Sequence, residues 1–180
     1  MNERVYLRAL DIGDAERVHR WHNDSSLYEL LGGTHRYVSR QAALTWLEQT
    51  ISYSAQSSGD VKLAICVRES NQHIGNIYLL QPNWVARNAR MEVFIGDPAE
   101  RHKGYGESAV RQLLIYAFTE LGLKRIYLTV LKDNPAAIRC YEKIGFVREG
   151  QFRNHVFKGG RWIDVIAMAI CAEEPSFRAG

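Results

Sequence analysis

The chain has 180 residues, of which 46% are hydrophobic and 24% are charged. This composition is typical of a globular domain, and the length favours one domain, which we place at residues 1–172, followed by a tail at 173–180. The net charge of +3 is small and the lysines and arginines are dispersed, so nucleic acid is not an expected partner.

No apolar run approaches the roughly 18 residues that a membrane-spanning helix needs, so no membrane partner is expected. The first residues lack the apolar core of a signal peptide, which favours a cytoplasmic protein. Cys66, Cys140 and Cys171 are scattered without a Cys-x-x-Cys pair. This spacing predicts reduced thiols and no metal site.

The N-terminal part predicts one strand followed by helices. Residues 4–10 alternate between polar and apolar side chains, as a half-buried strand does. Asp14 is the expected N-cap of a helix that ends near Trp21. A loop or broken helix follows to residue 33, and Ser39 is the expected N-cap of the next helix.

The remaining elements alternate between strands and helices. A surface loop at 54–60 is followed by strands at 61–67, 73–80 and 88–95, a helix up to Gly122, a strand at 124–131, a helix from Pro135 to Gly145, and a hairpin of strands at 147–157 and 161–170. The order predicts an α+β (mixed α/β) fold. We expect a central twisted mixed sheet of about seven strands with helices on both faces.

Residues 101–106, Arg-His-Lys-Gly-Tyr-Gly, join the strand at 88–95 to the following helix. Gly104 and Gly106 allow positive φ and a close approach of another molecule to the backbone. Successive N–H groups in such a turn and at a helix N-terminus bind anions, and Arg101 and Lys103 add positive charge. The loop therefore predicts a phosphate site.

Other phosphate-binding motifs fit this loop less well. The GxxxxGK[ST] loop is absent, because Gly-Lys-Ser and Gly-Lys-Thr occur nowhere in the chain. The GxGxxG dinucleotide fingerprint could use Ala109 as its third position, but the unit lies mid-chain and no acidic residue closes a strand about 20 residues later. A glycine-rich helix start without a ligand is the remaining alternative.

A second motif lies one strand further along, with Asn134 and Ala137 followed by Tyr141, Gly145 and Phe146. Together with Arg-x-x-Gly-x-Gly, it resembles the GNAT superfamily of acyl-CoA-dependent N-acyltransferases, whose second block reads Asn-x-x-Ala…Tyr-x-x-x-Gly-Phe. The two ends of the chain resemble the branch that holds ribosomal-protein N-terminal acetyltransferases and spermidine acetyltransferases. The resemblance covers nearly the whole chain and implies a GNAT fold, splayed at an acyl-CoA cleft.

The resemblance also implies acetyl-CoA as co-substrate and a direct transfer of its acetyl group to a primary amine. The loop would hold the coenzyme pyrophosphate, and the strand before it would pair with the pantetheine arm. The implied coenzyme-binding residues are Phe94, Ile95, Arg101, His102, Lys103, Gly104, Tyr105, Gly106 and Asn134. His102 and Glu107 depart from the branch, which usually has small residues there, and we expect Glu107 to point to solvent.

Tyr141 is the candidate general acid for the leaving thiolate. Asn134 and Tyr141 are seven residues apart, almost two helical turns, so they face nearly the same way. Phenol and thiol pKa values of about 10 and about 8.5 are close enough for proton transfer. The alternative is that Tyr141 only packs between helix and sheet.

Glu92 is the candidate general base, acting through water, if its side chain points into the acceptor cleft and not to solvent. His22, His73 and Glu29 are weaker candidates. The candidate substrate-binding residues, all in the N-terminal part that closes over the acceptor in this family, are Trp21, Asn23, Tyr28 and Glu29.

The acceptor is the least defined part of the prediction. A polyamine site should carry several carboxylates between residues 23 and 37, and Asp24 and Glu29 are the acids present there. This shortage argues against spermidine and leaves a protein or peptide N-terminus, an amino sugar or another small amine. Dimerisation is common in the family, so a homodimer is a further expectation from the resemblance.

Three functions are compatible with these patterns. The first is an N-acetyltransferase, including a polyamine acetyltransferase as one variant. The second is an acyl-CoA-binding module without turnover, and the third is a basic nucleic-acid binder, for which no recognition motif is present. Asn134 and Tyr141 favour the enzyme.

Overall fold

The computed structural model describes residues 4–54 and 59–173. The predicted tail from residue 174 onward, and residues 55–58 of the predicted surface loop, lie outside these ranges. The strands are β1 (Val5–Ala9), β2 (Val61–Val67), β3 (His73–Asn83), β4 (Asn88–Ile95), β5 (Arg125–Leu131), β6 (Val147–Lys158) and β7 (Arg161–Cys171). They form one mixed sheet in the order β1-β2-β3-β4-β5-β7-β6, which confirms the predicted fold class.

The helices are α1 (Ala15–His22), α2 (Ser25–Leu30), α3 (Arg40–Ser54), α4 (Tyr105–Ile115), which continues as a π-helical turn (Tyr116–Glu120), and α5 (Pro135–Ile144). The segment after Trp21, predicted as a loop or broken helix, contains one short helix, α2, which is capped by the side chain of Asp24. No helix in the described ranges is long and apolar enough to cross a bilayer.

Helices cover both faces of the sheet. On one face, Leu47 of α3 packs with Ala64 and Cys66 of β2. On the other face, Leu113 of α4 packs in a cluster that includes Ile65 of β2 and also takes in α5. Because alternate residues of a strand face opposite sides, β2 contributes to both cores. The sheet is therefore the middle of three layers.

Asp14 occupies the predicted N-cap position of α1, but its side chain makes no capping hydrogen bond there. Asp11 caps the short 3-10 turn Ile12–Asp14 instead, by accepting a hydrogen bond from the Gly13 N–H. The Asp14 side chain is buried and pairs with Arg8 at 2.8 Å and with His73 at 2.9 Å. A carboxylate is stable in a core only when it is paired in this way.

β4 and β5 pair only where they begin. Asn88–Arg90 run parallel to Arg125–Tyr127, and all other neighbouring strands of the sheet are antiparallel. Beyond Arg90 the two strands diverge, and the sheet opens at their carboxyl ends, where open sheets usually bind ligands. The predicted splay of the sheet is therefore present.

Candidate active site

A cavity of about 900 Å³ fills the gap between β4 and β5. A volume of this order is typical of cofactor and substrate sites. We call one part of it the donor end, lined by Arg101, His102, Gly104, Gly106, Tyr141 and Lys143. We call the other part the acceptor end, lined by Tyr28, Trp46, Tyr78, Arg90, Glu92 and His155.

The phosphate loop presents open backbone to the donor end. His102 and Gly104 have φ of 62° and 81°, so the chain turns twice through the left-handed region before α4 begins. The first N–H groups of a helix have no intrahelical acceptor. A Cβ on Gly106 would meet no protein atom within 4 Å, so this glycine borders open space. These features fit a pyrophosphate.

Arg101 is used by the loop itself. Its Nε donates to the Ile95 carbonyl at 3.0 Å, and its Nη2 donates to the Gly96 carbonyl at 3.1 Å. The same guanidinium lies 3.4 Å from the carboxylate of Asp24, the cap of α2. The side chain therefore shapes the turn and ties it to the acceptor side, while backbone N–H groups remain available for an anion.

Two other predicted coenzyme residues also brace the loop from outside the cavity. The Lys103 carbonyl accepts a hydrogen bond from Arg4, whose guanidinium lies 5.1 Å from the centre of the Tyr105 ring. The Lys103 ammonium pairs with Glu100 at 3.1 Å. Neither Lys103 nor Tyr105 is among the described residues that line the cavity.

Glu107 does not point freely to solvent. Its carboxylate pairs with Lys143 at 2.7 Å and with Arg111 at 3.1 Å, and the residue lines the donor end. Burial raises the pKa of Glu107, but hydrogen bonds from Lys143 and Arg111 outweigh it and leave the pKa lowered. The two cations offset the negative charge that would otherwise repel a phosphate.

Asn134 and Tyr141 both lie on the cavity wall. Asn134 caps α5 by accepting from the Ala137 N–H at 3.1 Å, and its Nδ2 donates to the Leu30 carbonyl of α2 at 3.2 Å. The ring of Tyr141 lies 5.6 Å from that of Phe146. Burial raises the pKa of Tyr141, so the phenol keeps its proton at neutral pH.

The acceptor end has one pair of opposite charges and several aromatic faces. Tyr78 and Glu92 are cross-strand partners, so their side chains stand side by side on one face of the sheet. Glu92 is half exposed and pairs with Arg90 at 3.0 Å. His22 lies on the same wall against Trp46, and burial lowers its pKa.

Trp21 lies in the core and not on the acceptor wall. It is 2% exposed and meets His73 and Phe94 edge-on at 4.8 and 5.8 Å. A Cβ on Gly96 would lie 2.3 Å from its indole ring. Trp21 therefore packs against Gly96, just before the phosphate loop, and against Phe94 of β4.

Asn23 and Glu29 are also not among the described residues that line the cavity. Asn23 donates to the Val38 carbonyl at 2.9 Å and accepts from the Val38 N–H at 3.0 Å. This two-way bond ties the end of α1 to the segment before α3, which is a structural role. Glu29 is exposed on α2, and of the predicted acceptor residues Tyr28 faces the cavity.

Lys158 supports the site without being among the described residues that line the cavity, and sequence reasoning missed it. It lies at the end of β6 and donates to the carbonyl oxygens of Tyr28 and Leu31. A cation is favourable at the carboxyl end of a helix, so this contact holds α2 over the cavity. Apart from its place before Gly159-Gly160, no local pattern marks the residue.

The family model of the acetyltransferase (GNAT) domain matches residues 4–147. The chain therefore belongs to the GNAT acetyltransferase family, and it is an acyltransferase. The predicted enzyme class is confirmed, since the relatives described below are named N-acetyltransferases.

The chain is similar to spermidine N(1)-acetyltransferases over most of its length. It is 29% identical to the Vibrio cholerae protein over 170 residues, which is 94% of each chain. It is also 29% identical to the Escherichia coli strain K12 protein over 166 residues, which is 92% of this chain and 85% of that one. These matches support the spermidine side of the predicted branch and give no support for the ribosomal-protein side.

A crystal structure of the Vibrio cholerae spermidine N-acetyltransferase in complex with CoA and spermine matches the fold with a TM-score of 0.85 and 28% identity. The match covers 98% of this chain and 99% of the other. The Vibrio cholerae protein is also described as a dodecamer. Within residues 4–54 and 59–173, no group of three or more metal-ligating side chains comes together.

Proposed function

We propose that this protein transfers the acetyl group of acetyl-CoA to a primary amine of a linear polyamine. The observation that carries the proposal is the match over nearly the whole chain to a structure that holds CoA and spermine in one protein. Fold similarity alone would not define a substrate. The cavity contributes independent support at both ends.

At the donor end, the loop and its surroundings suit the coenzyme. The backbone beside Gly106 is open for the pyrophosphate, and Lys143 and Arg139 on α5 add positive charge along the same wall. The edge of β4 at Phe94 and Ile95 faces the gap left by β5, so it can pair with an extended pantetheine arm.

The reaction needs one proton to leave the amine and one to reach the sulfur. The amine nitrogen attacks the thioester carbon, a C–N bond forms, and the C–S bond then breaks. Tyr141 donates its phenolic proton to the leaving thiolate, and its raised pKa ensures that this proton is present. Water leading to Glu92 takes the proton that the amine loses.

At the acceptor end, aromatic faces and one carboxylate favour an amine. Tyr28 and Trp46 offer ring faces that attract ammonium groups. Glu92 offers a carboxylate beside Tyr78 for the reacting amine or for the next amine group along the polyamine. A linear polyamine could lie along this wall with its reacting end toward β4.

A second candidate is a primary amine that carries an anionic group, such as a peptide N-terminus. One observation favours this candidate. Arg90 lines the acceptor end, and its guanidinium already forms an ion pair with the carboxylate of Glu92. A polycation would have to break or share that ion pair. An acceptor with its own carboxylate could instead bind Arg90 directly.

An amine panel distinguishes these candidates. We expect thiol release from acetyl-CoA, and a mass gain of one acetyl group, with spermidine and spermine ahead of short peptides and glucosamine in kcat/KM. Turnover of peptides alone would reject the polyamine acceptor and keep the transferase. Coenzyme binding without turnover of any primary amine would contradict the proposal as a whole.

A further inference from the structure

β6 is interrupted by a large bulge where it passes the cavity. Phe152 pairs with Val165 of β7, and Val156 pairs with Ile163. Three residues of β6, 153–155, therefore lie opposite a single residue of β7, where a regular antiparallel pair has one residue on each strand. We call residues 153–155 the β6 bulge. Bulges bend a strand and re-aim its side chains, and they are frequent beside active sites.

Asp164 is the residue of β7 that faces the β6 bulge, and its carboxylate holds the bulge in place. Its Oδ1 accepts from the Asn154 N–H at 2.9 Å, and its Oδ2 accepts from Gln151 Nε2 at 2.6 Å. Lys132 lies 3.4 Å from the same carboxylate. The hydrogen bond from Asn154 lowers the pKa of Asp164, so the carboxylate is ionised at neutral pH and accepts at both oxygens.

Asn154 supplies the backbone conformation that the bulge needs. Its φ is 50°, in the left-handed region that residues with a side chain rarely enter. Asparagine enters this region more readily than most residues, whereas a β-branched residue is strained there. The bulge is therefore encoded by Asn154 on one strand and by Asp164 on the other.

The bulge changes the direction of His155. In a regular strand, residues three apart point to opposite faces and lie about 10 Å apart. The ring centroids of Phe152 and His155 are instead 5.1 Å apart. His155 lines the acceptor end of the cavity, whereas Arg153 and Asn154 are not among the described residues that do. The bulge therefore brings one imidazole to the site.

The position of β6 in the sheet shows which part of an acceptor this imidazole can meet. The strand order is β4-β5-β7-β6, so three strand spacings separate β6 from β4. At roughly 4.8 Å per spacing they are about 14 Å apart, and the divergence of β4 from β5 adds to this. In the proposed reaction the acetyl group lies beside Phe94 and Ile95 of β4. A side chain from β6 is therefore on the far side of the acceptor from the reacting nitrogen.

We propose that His155 is a specificity-determining residue, which accepts a hydrogen bond from an amine group of the acceptor other than the one that reacts. Asp164 and Asn154 are positioning residues, which act on the acceptor through His155. The inference rests on the proposed acetylation of a linear polyamine, and it assigns a contact to the distant end of that polyamine. An imidazole nitrogen can accept from the N–H groups that every amine carries.

The first test is His155→Ala. We expect the KM for spermidine to rise about tenfold, the value of one hydrogen bond to a charged group, while the KM for acetyl-CoA stays within twofold. Arg153→Ala is the matched control, because Arg153 is an exposed residue of the same bulge and is not among the described residues that line the cavity. An unchanged spermidine KM in His155→Ala would overturn the proposal.

Butylamine tests which amine group His155 contacts, because it has the reacting amine and no other. Its KM, or its inhibition constant against spermidine, should change by less than twofold in His155→Ala. Equal rises for butylamine and spermidine would contradict the assignment, since they would place His155 at the reacting amine or show that it only supports the cavity.

Two substitutions of Asn154 test whether the bulge positions His155. Glycine adopts the left-handed conformation without strain, and valine does not. We expect Asn154→Val to raise the spermidine KM as far as His155→Ala does, and Asn154→Gly to leave it within twofold. The same KM in both variants would show that the conformation of Asn154 has no part in specificity.

A double substitution tests the route by which Asp164 acts. Asp164→Ala removes the acceptor for the Asn154 N–H, so we expect the spermidine KM to rise several-fold. In a His155→Ala background the same change should add less than twofold, because the imidazole that Asp164 positions is already absent. Fully additive effects would mean that Asp164 is not a positioning residue for His155.

The failure of this inference and the failure of the proposed function give different results. If spermidine is not acetylated but another amine of the panel is, the polyamine function fails. The KM of that amine is then compared between the wild type and His155→Ala, and an unchanged value rejects the role of His155 by itself. If no amine is acetylated, the inference falls together with the proposed function.

Discussion

The donor and acceptor ends of the cavity are built in different ways. The donor end consists of two short continuous segments, the phosphate loop at 101–106 and α5, and the groups that we propose for coenzyme binding there are mainly backbone N–H groups and caps. The acceptor end is made of side chains from α1, α2, α3, β3, β4 and β6, which are distant in the chain. A site of the first kind tolerates changes in most side chains, whereas the second depends on how separate elements pack.

This difference has a consequence for specificity. In the proposed function, backbone groups would bind the part of the reaction that does not vary, the coenzyme, because every non-proline residue offers the same N–H group. Side chains on separate elements would bind the acceptor, so the acceptor could change while the donor end stays the same. Arg101 and Asn134 join the two ends through Asp24 and the Leu30 carbonyl of α2.

The largest effect should come from Tyr141 at the donor end. We expect Tyr141→Phe to lower kcat by about 10²–10⁴-fold, because the thiolate loses its proton donor, with coenzyme affinity unchanged. Thiol release under saturating substrates measures the change in kcat. Tyr116→Phe is the control, because Tyr116 is an exposed tyrosine in the π-helical turn after α4 and is not among the described residues that line the cavity. A loss below threefold would show that Tyr141 only packs.

The same tyrosine predicts a pH dependence. Because burial raises the pKa of Tyr141, its acid form is present throughout the usual assay range. We expect kcat to show no falling limb between pH 7 and about pH 10, the ordinary phenol pKa. A fall with a midpoint near pH 8 would assign the acid role to another group.

The next effect concerns the stability that the buried pairs of Asp14 with Arg8 and His73 give to the fold. The pKa of Asp14 is lowered from 3.8 to about 2, so its ionised form stabilises the fold above pH 3.8. That contribution, about 2 kcal/mol, should disappear as the pH falls toward 2. Denaturant unfolding should show this decline in the wild type and a flatter profile in Asp14→Asn.

A surface pair provides the control for Asp14. Glu16 and Arg40 lie 3.2 Å apart with side chains 81% and 80% exposed, so Glu16→Gln should change the free energy of unfolding by less than about 0.5 kcal/mol. Equal effects of Asp14→Asn and Glu16→Gln on the free energy of unfolding would mean that the buried pairs of Asp14 contribute no more to stability than a surface pair does.

The donor end can be tested by adding one methyl group. Gly106→Ala fits the protein without a clash, and alanine favours a helix by roughly 0.5–1 kcal/mol. We expect the free energy of unfolding to rise slightly. The KM for acetyl-CoA should rise about tenfold, because the new Cβ would occupy the space of a phosphate. Gly150→Ala, on exposed β6 with equal room, is the matched control.

The smallest effect should come from Glu92. Its carboxylate is 49% exposed and paired with Arg90, so water can replace it as proton acceptor. We expect Glu92→Gln to lower kcat by no more than about tenfold. Glu142→Gln is the control, because Glu142 pairs with Arg148 at 2.8 Å on the surface. A thousandfold loss would make Glu92 an obligatory base.

The sequence by itself determined the donor end and the order of the elements. Glycines, caps and alternation act over a few residues, so Gly104, Gly106, Asn134 and the strands can be located without knowing the fold. The predicted sheet is confirmed, and so are its splay and the enzyme class, which the resemblance of these motifs to the GNAT superfamily implied.

Only the tertiary structure decided the acceptor end. Trp21 and Asn23 have the residue types of a binding site, yet one is core and the other ties two segments together. Arg90 and Tyr78 have no local pattern and reach the cavity through strand register, and Lys158 reaches the end of α2 through hairpin length. Their positions depend on packing between elements far apart in the chain, and no short stretch of sequence contains that information.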